Sequence, residues 1–373
     1  MSNNPISRRD ALSGMLAGVT AAMSSRDARA AAVAGDPATG ASASPASKRN
    51  KITLEEHIDF PGGERLLFHP IGIDDVHWRR ISERLRDVEQ YRLPAMDAHG
   101  IAMQVVSLTA NGIQGEPDAR RAVDLARAAN DWVWSKFVSA HPTRFSAFAA
   151  VALQDPQAAC KEAERAVKQL GFRGVLVNGY CNVGDENTGE YLDLPKFAPF
   201  WECVQELAVP VYLHPRCPLP SQRLIYRGHD EMVAAMWGFG AETAAHALRL
   251  ITSGLFDRYP RQQMILGHLG EWLVAMMARA QRRFEYTPCG KHLDKPLAQY
   301  MRDNFYITTS GNFHTPTLDG VIVEVGIDRV MFSVDYPYED MAEGASWFDG
   351  CPLEGEAREK VAHLNAQRLL KLE

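Results

Sequence analysis

The chain has 373 residues and carries 40 Lys and Arg against 46 Asp and Glu, a net charge of -6. A hydrophobic fraction of 46% and a charged fraction of 23% are those of a soluble globular protein,. The lack of a basic excess speaks against polyphosphate binding, so nucleic acid is not an expected partner. The length accommodates two ordinary domains or one large (β/α)8 barrel.

The first segment reads as an export signal over residues 1–30. Arg8 and Arg9 precede a modestly apolar stretch at 12–23, and Ala28-Arg29-Ala30 supplies small residues for cleavage,. The run Ser7-Arg8-Arg9-Asp10-Ala11-Leu12 resembles a twin-arginine signal, with Ala11 where an aromatic residue is common,. A tail with an accidental arginine pair is the plainer alternative, but the three parts stand in the right order. Periplasmic export by the twin-arginine route is therefore expected, with a cytoplasmic location if the signal is not used. Residues 31–50, rich in Ala, Gly, Ser and Pro, are expected to be a flexible linker, and 51–373 a single catalytic domain,. No later stretch has the apolar length to span a bilayer, so no membrane association is expected after processing. The six cysteines show no Cys-x-x-Cys spacing, and the sequence does not say whether any of them pair,.

From Ile52 onward, short β-branched runs alternate with longer amphipathic ones, the pattern of repeated βα units. Strands are predicted at 52–56, 103–108, 146–151, 174–177, 210–213, 264–267, 305–308 and 330–334. Helices are predicted at 118–139, 156–170, 197–207, 242–255, 271–286, 316–325 and 353–371. Eight alternations favour one closed barrel, in which function gathers where strands end at their carboxyl side. Three irregular stretches, 60–75, 180–195 and 217–240, would overhang that face,.

Acids and imidazoles recur at those strand ends. Glu55 and His57 share one face of an extended strand while Glu56 points away, a chelating arrangement. His214 closes the fifth strand before Pro215, and Asp335 follows the eighth. Each alone is more often a solvated or satisfied polar residue, but a barrel would bring all four to one height and make an open, catalytic divalent-metal site. His268 ends the sixth strand and Glu271 begins the next helix, where its carboxylate can orient the imidazole or merely favour the helix dipole.

Taken together, Leu54-Glu-Glu-His57, Met96-Asp-Ala-His-Gly-Ile101, Leu213-His-Pro-Arg216, Leu266-Gly-His-Leu-Gly-Glu271, Thr308-Thr-Ser-Gly-Asn312 and Phe332-Ser-Val-Asp-Tyr-Pro337 resemble the amidohydrolase-related decarboxylases. Within that group the chain is most similar to the γ-resorcylate and 2,3-dihydroxybenzoate decarboxylases. The Glu-x-His opening matters most, since many relatives begin with His-x-His. The resemblance implies an amidohydrolase-like (β/α)8 barrel, with Glu55, His214 and Asp335 as ligands of one divalent ion (Zn, Mn or Mg) and His57 as a ligand that varies within the family. It implies that His268 and Glu271 face a small aromatic carboxylic acid, that Arg279 binds substrate in a neighbouring subunit's site, and that the enzyme is a homodimer or homotetramer. Two motifs depart from the γ-resorcylate pattern, at three residues. Asp335-Tyr336-Pro337-Tyr338 stands for Asp-Trp-Pro-Phe, and Ser107-Leu108-Thr109 for Ser-Leu-Asn.

The expected reaction is non-oxidative decarboxylation of an ortho-hydroxylated benzoate, with Asp335 as the acid that protonates the ring carbon and His268 with Glu271 serving the phenol. Metal-dependent hydrolysis of a lactone, ester or amide is the rival within the same fold. A binding protein with a decayed site is a third reading.

Overall fold

The computed structural model describes residues 50–372. The signal expected over 1–30, and all but the last residue of the linker expected over 31–50, lie outside them. The described residues fall in one compact unit. Its strands are β1 (Lys51–Ile58), β2 (Ile101–Leu108), β3 (Phe145–Ala147), β4 (Val175–Asn178), β5 (Cys181–Val183), β6 (Asp185–Glu190), β7 (Val211–His214), β8 (Met264–Leu266), β9 (Phe305–Thr308) and β10 (Val330–Met331).

Leaving aside β5 and β6, all eight predicted strands form and pair in parallel, in the orders β1-β2-β3 and β4-β7-β8-β9-β10. A parallel bridge from Ala149 to Val175 joins the two sheets on one side. On the other, Asp335 N donates to Glu55 O (2.9 Å) and His57 N to Tyr336 O (2.7 Å). The ring is thus closed as a (β/α)8 barrel.

The eighth strand stops at Met331, short of the predicted 334, because side chains take over its ladder. Ser333 Oγ accepts from Leu54 N (3.0 Å) and Glu55 N (2.7 Å), and Glu56 Oε1 accepts from Val334 N (3.1 Å). The stretch 180–195, expected to be irregular, instead holds the antiparallel hairpin β5–β6, turned at Gly184 where φ is +76°,.

Seven barrel strands, and Phe148 just after β3, send residues into a shared interior layer that includes Leu54, Val105, Leu176, Tyr212, Ile265, Tyr306 and Met331. A larger cluster fills the space between the barrel and its helices. The helix Ala119–Val133 illustrates the packing: Asp118 caps it by accepting from Arg121 N, and Ala122, Ala126, Ala129 and Val133 form its buried stripe,. Cys160 and Cys203, which the sequence left unassigned, form a disulfide (Cα–Cα 5.8 Å) tying the helix Pro156–Gln169 to Ala198–Leu207.

The hairpin's far end is pinned by His246 on the helix Gly238–Thr252. Its Nε2 accepts from Leu192 N (3.1 Å) and its ring meets Tyr191 edge-on. Burial pushes this imidazole down to about 3, so the folded chain holds it neutral. An unfolded chain would protonate it near the ordinary value, so its contribution is present above that value and lost as pH falls toward 3,. Between pH 7 and 5 the wild type is expected to lose roughly 2 kcal/mol more unfolding free energy than His246→Gln, at about 1.4 kcal/mol per pH unit. Urea denaturation of both proteins at the two pH values checks it, and parallel losses would rule it out.

Candidate active site

β1 is irregular where the chemistry begins. A register shift between Thr53 and Glu56 breaks its simple alternation. Leu54 joins the interior layer, and Glu55 also points inward, to Tyr212. A bulge of this kind re-aims side chains at a barrel rim. His57 then shares the face of Glu55, while Glu56 points outward. There Gln104 Nε2 donates to Glu56 Oε2 (3.0 Å), and the buried Arg92 donates to Gln104 Oε1 (3.1 Å) and His57 O (2.6 Å). Burial still pushes Glu56 up to about 7.

The two oxygens of Glu55 have different surroundings. Oε2 accepts from the hydroxyls of Tyr212 and Ser310, with Thr308 Oγ1 at 3.4 Å. Oε1 is buried without a hydrogen-bond partner. Gly267 makes room for this carboxylate, because a side-chain carbon there would collide with it. His214 is oriented by Asn178, whose Oδ1 accepts from His214 Nδ1 at 2.6 Å. That bond fixes the tautomer and leaves Nε2, 3.4 Å from Glu55 Oε1, as a free lone pair,. Burial, and then His57, hold His214 well below its usual range, so it is neutral as a ligand must be,.

One atom each from Glu55, His57 and His214 lies within 4.8 Å of the others. Asp335 stands outside that tight group but adjoins it, with Oδ1 2.9 Å from His57 Nε2. Both atoms of this close pair lack an aligned hydrogen bond. Two donors aimed at one ion rather than at each other behave this way. Ligand atoms each ~2.1 Å from a shared ion stand roughly 3.0–3.4 Å apart at octahedral to tetrahedral angles. The donor set of carboxylate oxygens and imidazole nitrogens therefore fits a divalent cation.

His268 sits beside this group in an unusual turn. The chain expected to pass from strand to helix at 268–271 instead takes five successive left-handed residues: His268 (φ 51°), Leu269 (57°), Gly270 (88°), Glu271 (52°) and Trp272 (62°). The helix begins only at Leu273, so Glu271 serves the imidazole and not a helix end. Each non-glycine residue there costs ~1–2 kcal/mol. In return, His268 Nδ1 donates to Glu271 Oε1 at 2.6 Å while Nε2 faces Asp335 Oδ2 at 3.4 Å. Burial alone would lower the imidazole, but Glu271 and Glu55 outweigh it and hold it protonated well above its usual range. Burial likewise would raise Asp335, yet its hydrogen bond with His268 and the closeness of His57 keep it below the usual carboxylate range. Trp272 rests against Trp237 of the loop after β7, with ring centroids 4.1 Å apart.

Of the residues singled out by sequence, Glu55, His57, His214, His268, Glu271 and Asp335 come together. Arg279 does not join them within this chain and is exposed on the helix Leu273–Tyr286. Two of the three residues that depart from the γ-resorcylate pattern meet each other. Tyr338 and Thr109 share a 2.7 Å hydrogen bond, and the Tyr338 ring lies edge-on to His57 at 5.7 Å. Sequence reasoning gave no role to Asn178, Tyr212 or Arg92. A polar residue closing a strand marks Asn178, but nothing in the sequence marks Tyr212 or Arg92.

The amidohydrolase family profile matches residues 73–372. A gamma-resorcylate decarboxylase from Rhizobium sp. (strain MTP-10005) is 45% identical over 327 residues, covering 87% of this chain and 99% of the relative. A solved 2,6-dihydroxybenzoate decarboxylase complexed with 2,6-dihydroxybenzoate superposes with a TM-score of 0.83 at 44% identity, over 87% of this chain and 99% of that one. A dihydroxybenzoic acid decarboxylase from Polaromonas sp. JS666, solved with bound manganese and the inhibitor 2-nitroresorcinol, gives the same TM-score and identity over 87% and 97%.

Asn178→Ala frees the His214 ring without removing a candidate ligand. Metal affinity is expected to fall ~10–100-fold, measured by competition with a chelator. An unchanged affinity would mean that Asn178 does not orient the ligand.

Proposed function

This chain belongs to the amidohydrolase family, and from that premise we propose that it is a metal-dependent carboxy-lyase releasing carbon dioxide from an ortho-hydroxylated benzoate. The observation that carries this reading is the group Glu55, His57, His214 and Asp335 set beside an imidazole that bridges two carboxylates. The relatives named above are decarboxylases of dihydroxybenzoates, which favours this chemistry over the hydrolytic alternative.

Glu55, His214 and Asp335, joined by His57, would hold the divalent ion. When bound, the ion supplies a Lewis acid that fixes the substrate's carboxylate and adjacent phenol oxygen. Expelling carbon dioxide directly from an arene would leave an aryl anion, so the ring carbon bearing the carboxylate must be protonated first. Asp335, itself held ionised, relays to that carbon a proton taken from the protonated His268. Decarboxylation of a carboxylate consumes one proton per turnover, and His268, between Asp335 and Glu271, is placed to return it. The His268 side chain is 25% exposed, enough to exchange protons with solvent. Cleavage of the carbon–carbon bond then restores the aromatic ring.

The Tyr338–Thr109 pair is proposed to tune the substrate. It brings a phenol hydroxyl beside His57 where γ-resorcylate relatives have a phenyl ring. For assembly we propose a homodimer or homotetramer. The support is an apolar groove of about 740 Å³ between the helices Leu273–Tyr286 and Thr315–Val325, bordered by Trp272, Val274 and Val323. A second copy of the chain is its proposed occupant, and Arg279 is exposed on one of these helices. Periplasmic export is proposed on the twin-arginine pattern alone.

With manganese-saturated protein and 2,6-dihydroxybenzoate, carbon dioxide release is expected and a chelator should abolish it. Asp335→Asn, compared at saturating manganese, should lower kcat by ~10²–10⁴-fold. Turnover at the parent rate would remove Asp335 as the acid. Product of ester or lactone hydrolysis without any carbon dioxide would sink the reading as a whole.

Tyr338→Phe is expected to keep turnover of 2,6-dihydroxybenzoate while losing ~10-fold in kcat/KM on benzoates carrying a further hydroxyl or methoxyl group. A uniform loss across such a series would show that the phenol does not discriminate.

A further inference from the structure

The stretch after β1, the loop after β2, the β5–β6 hairpin and the loop after β7 together surround a cavity of about 320 Å³ that none of the metal-centre residues lines. Three guanidinium groups border it: Arg65, Arg216 and Arg223. The one carboxylate on its wall is the exposed Glu186.

Arg216 is only 5% exposed. Its Nη1 donates to the carbonyls of Tyr180 (2.7 Å) and Gln114 (3.3 Å), and its Nη2 to Asn182 Oδ1 (2.8 Å). The guanidinium lies over the Tyr180 ring at 4.0 Å. All of these partners are neutral, and Nε is buried with no hydrogen-bond partner. Glu242 acts on Arg216 from beyond ion-pair distance. Arg223, whose Nε donates to Pro218 O at 2.7 Å, likewise has no carboxylate partner among the described residues. Arg65 differs, because it is paired with Glu116.

A buried guanidinium with no carboxylate at ion-pair distance is costly, and an anion seated against it offsets that cost. The backbone is shaped for this arginine. Gly179 adopts φ +64°, and a side-chain carbon there would press on Cγ and Cδ of Arg216.

We infer that this cavity is a binding site for a planar oxyanion of the carboxylate type, held by Arg216 and Arg223. Arg223 can meet such an anion with two parallel hydrogen bonds from Nη1 and Nη2, and Arg216 adds its unpaired Nε,. Two sources supply that chemistry. One is free bicarbonate, the hydrated form of carbon dioxide, and the other is a second carboxylate carried by an aromatic diacid. The second source rests on the decarboxylase reading, and the first does not. One wall of the cavity adjoins the metal centre. Asn111 and Gly115 line it, and Gly112 between them backs closely onto Asn178, the residue that orients His214.

Two measurements on the full-length, metal-loaded protein test this. In the first, sodium bicarbonate is titrated against sodium chloride at fixed pH and ionic strength, and Tm is followed in wild type and Arg223→Gln. A saturable rise in the wild type that is absent from the variant supports the site with a free anion. In the second, steady-state rates are compared for a hydroxyisophthalate and for 2,6-dihydroxybenzoate. A rise of about tenfold in KM for the diacid alone in Arg223→Gln supports the site with a substrate carboxylate. Bicarbonate responses that match in both proteins, together with diacid kinetics that the variant leaves unchanged, overturn the inference. If neither acid is decarboxylated, the decarboxylase reading fails by itself and the Tm titration still decides the site.

Discussion

The mouth of the barrel depends on a local change of pleat in β1. Between Thr53 and Glu56 the strand slips register, so that Leu54 belongs to the interior layer and Glu55, next along, also turns inward. Strict alternation would have aimed Glu56 at the centre and Glu55 at the helices. The slip is stabilised from across the closing seam, where Ser333 Oγ takes the amide hydrogens of Leu54 and Glu55. One strand thereby serves two environments. Its inner face presents Glu55 and His57 to the metal centre, and its outer face commits Glu56 to a buried network with Gln104 and Arg92.

Around that strand, unfavourable terms are balanced locally. Burying the Glu55 carboxylate is costly, and the hydroxyls of Tyr212 on β7, Thr308 on β9 and Ser310 just after β9 gather on one of its oxygens, leaving the second without a hydrogen bond,. The left-handed run after β8 is strained, and what it secures is an imidazole held between Glu271 and Asp335,. Both features lie at the metal centre, where chemistry is expected. This is the usual place for a fold to depart from regular geometry.

The sequence disclosed the strands well because each is a short β-branched run bounded by helical periodicity. All eight form, and the acids and imidazoles at their ends do meet. Where it misled, side chains had replaced backbone interactions. The eighth strand was predicted too long because Ser333 and Glu56 take over its ladder. Glu271 was read as a helix-start residue because nothing local announces four non-glycine residues at positive φ. The hairpin at β5–β6 was hidden in a polar stretch, and the Cys160–Cys203 bond joins residues 43 positions apart, a pairing that spacing cannot reveal. Tyr212 and Arg92 matter through contacts with distant segments, so no local pattern could have marked their roles, and Asn178 was marked only as a polar residue closing a strand.

The indole pair Trp237–Trp272 makes the turn after β8 optically addressable. Two indoles with centroids 4.1 Å apart couple their electronic transitions, and such coupling appears as a paired signal in ultraviolet circular dichroism. One partner belongs to the loop after β7 and the other closes the left-handed run that holds Glu271. The signal therefore reports, without any added label, whether these two segments are in contact. Ligand-driven rearrangement of the mouth can be timed from the protein's own chromophores.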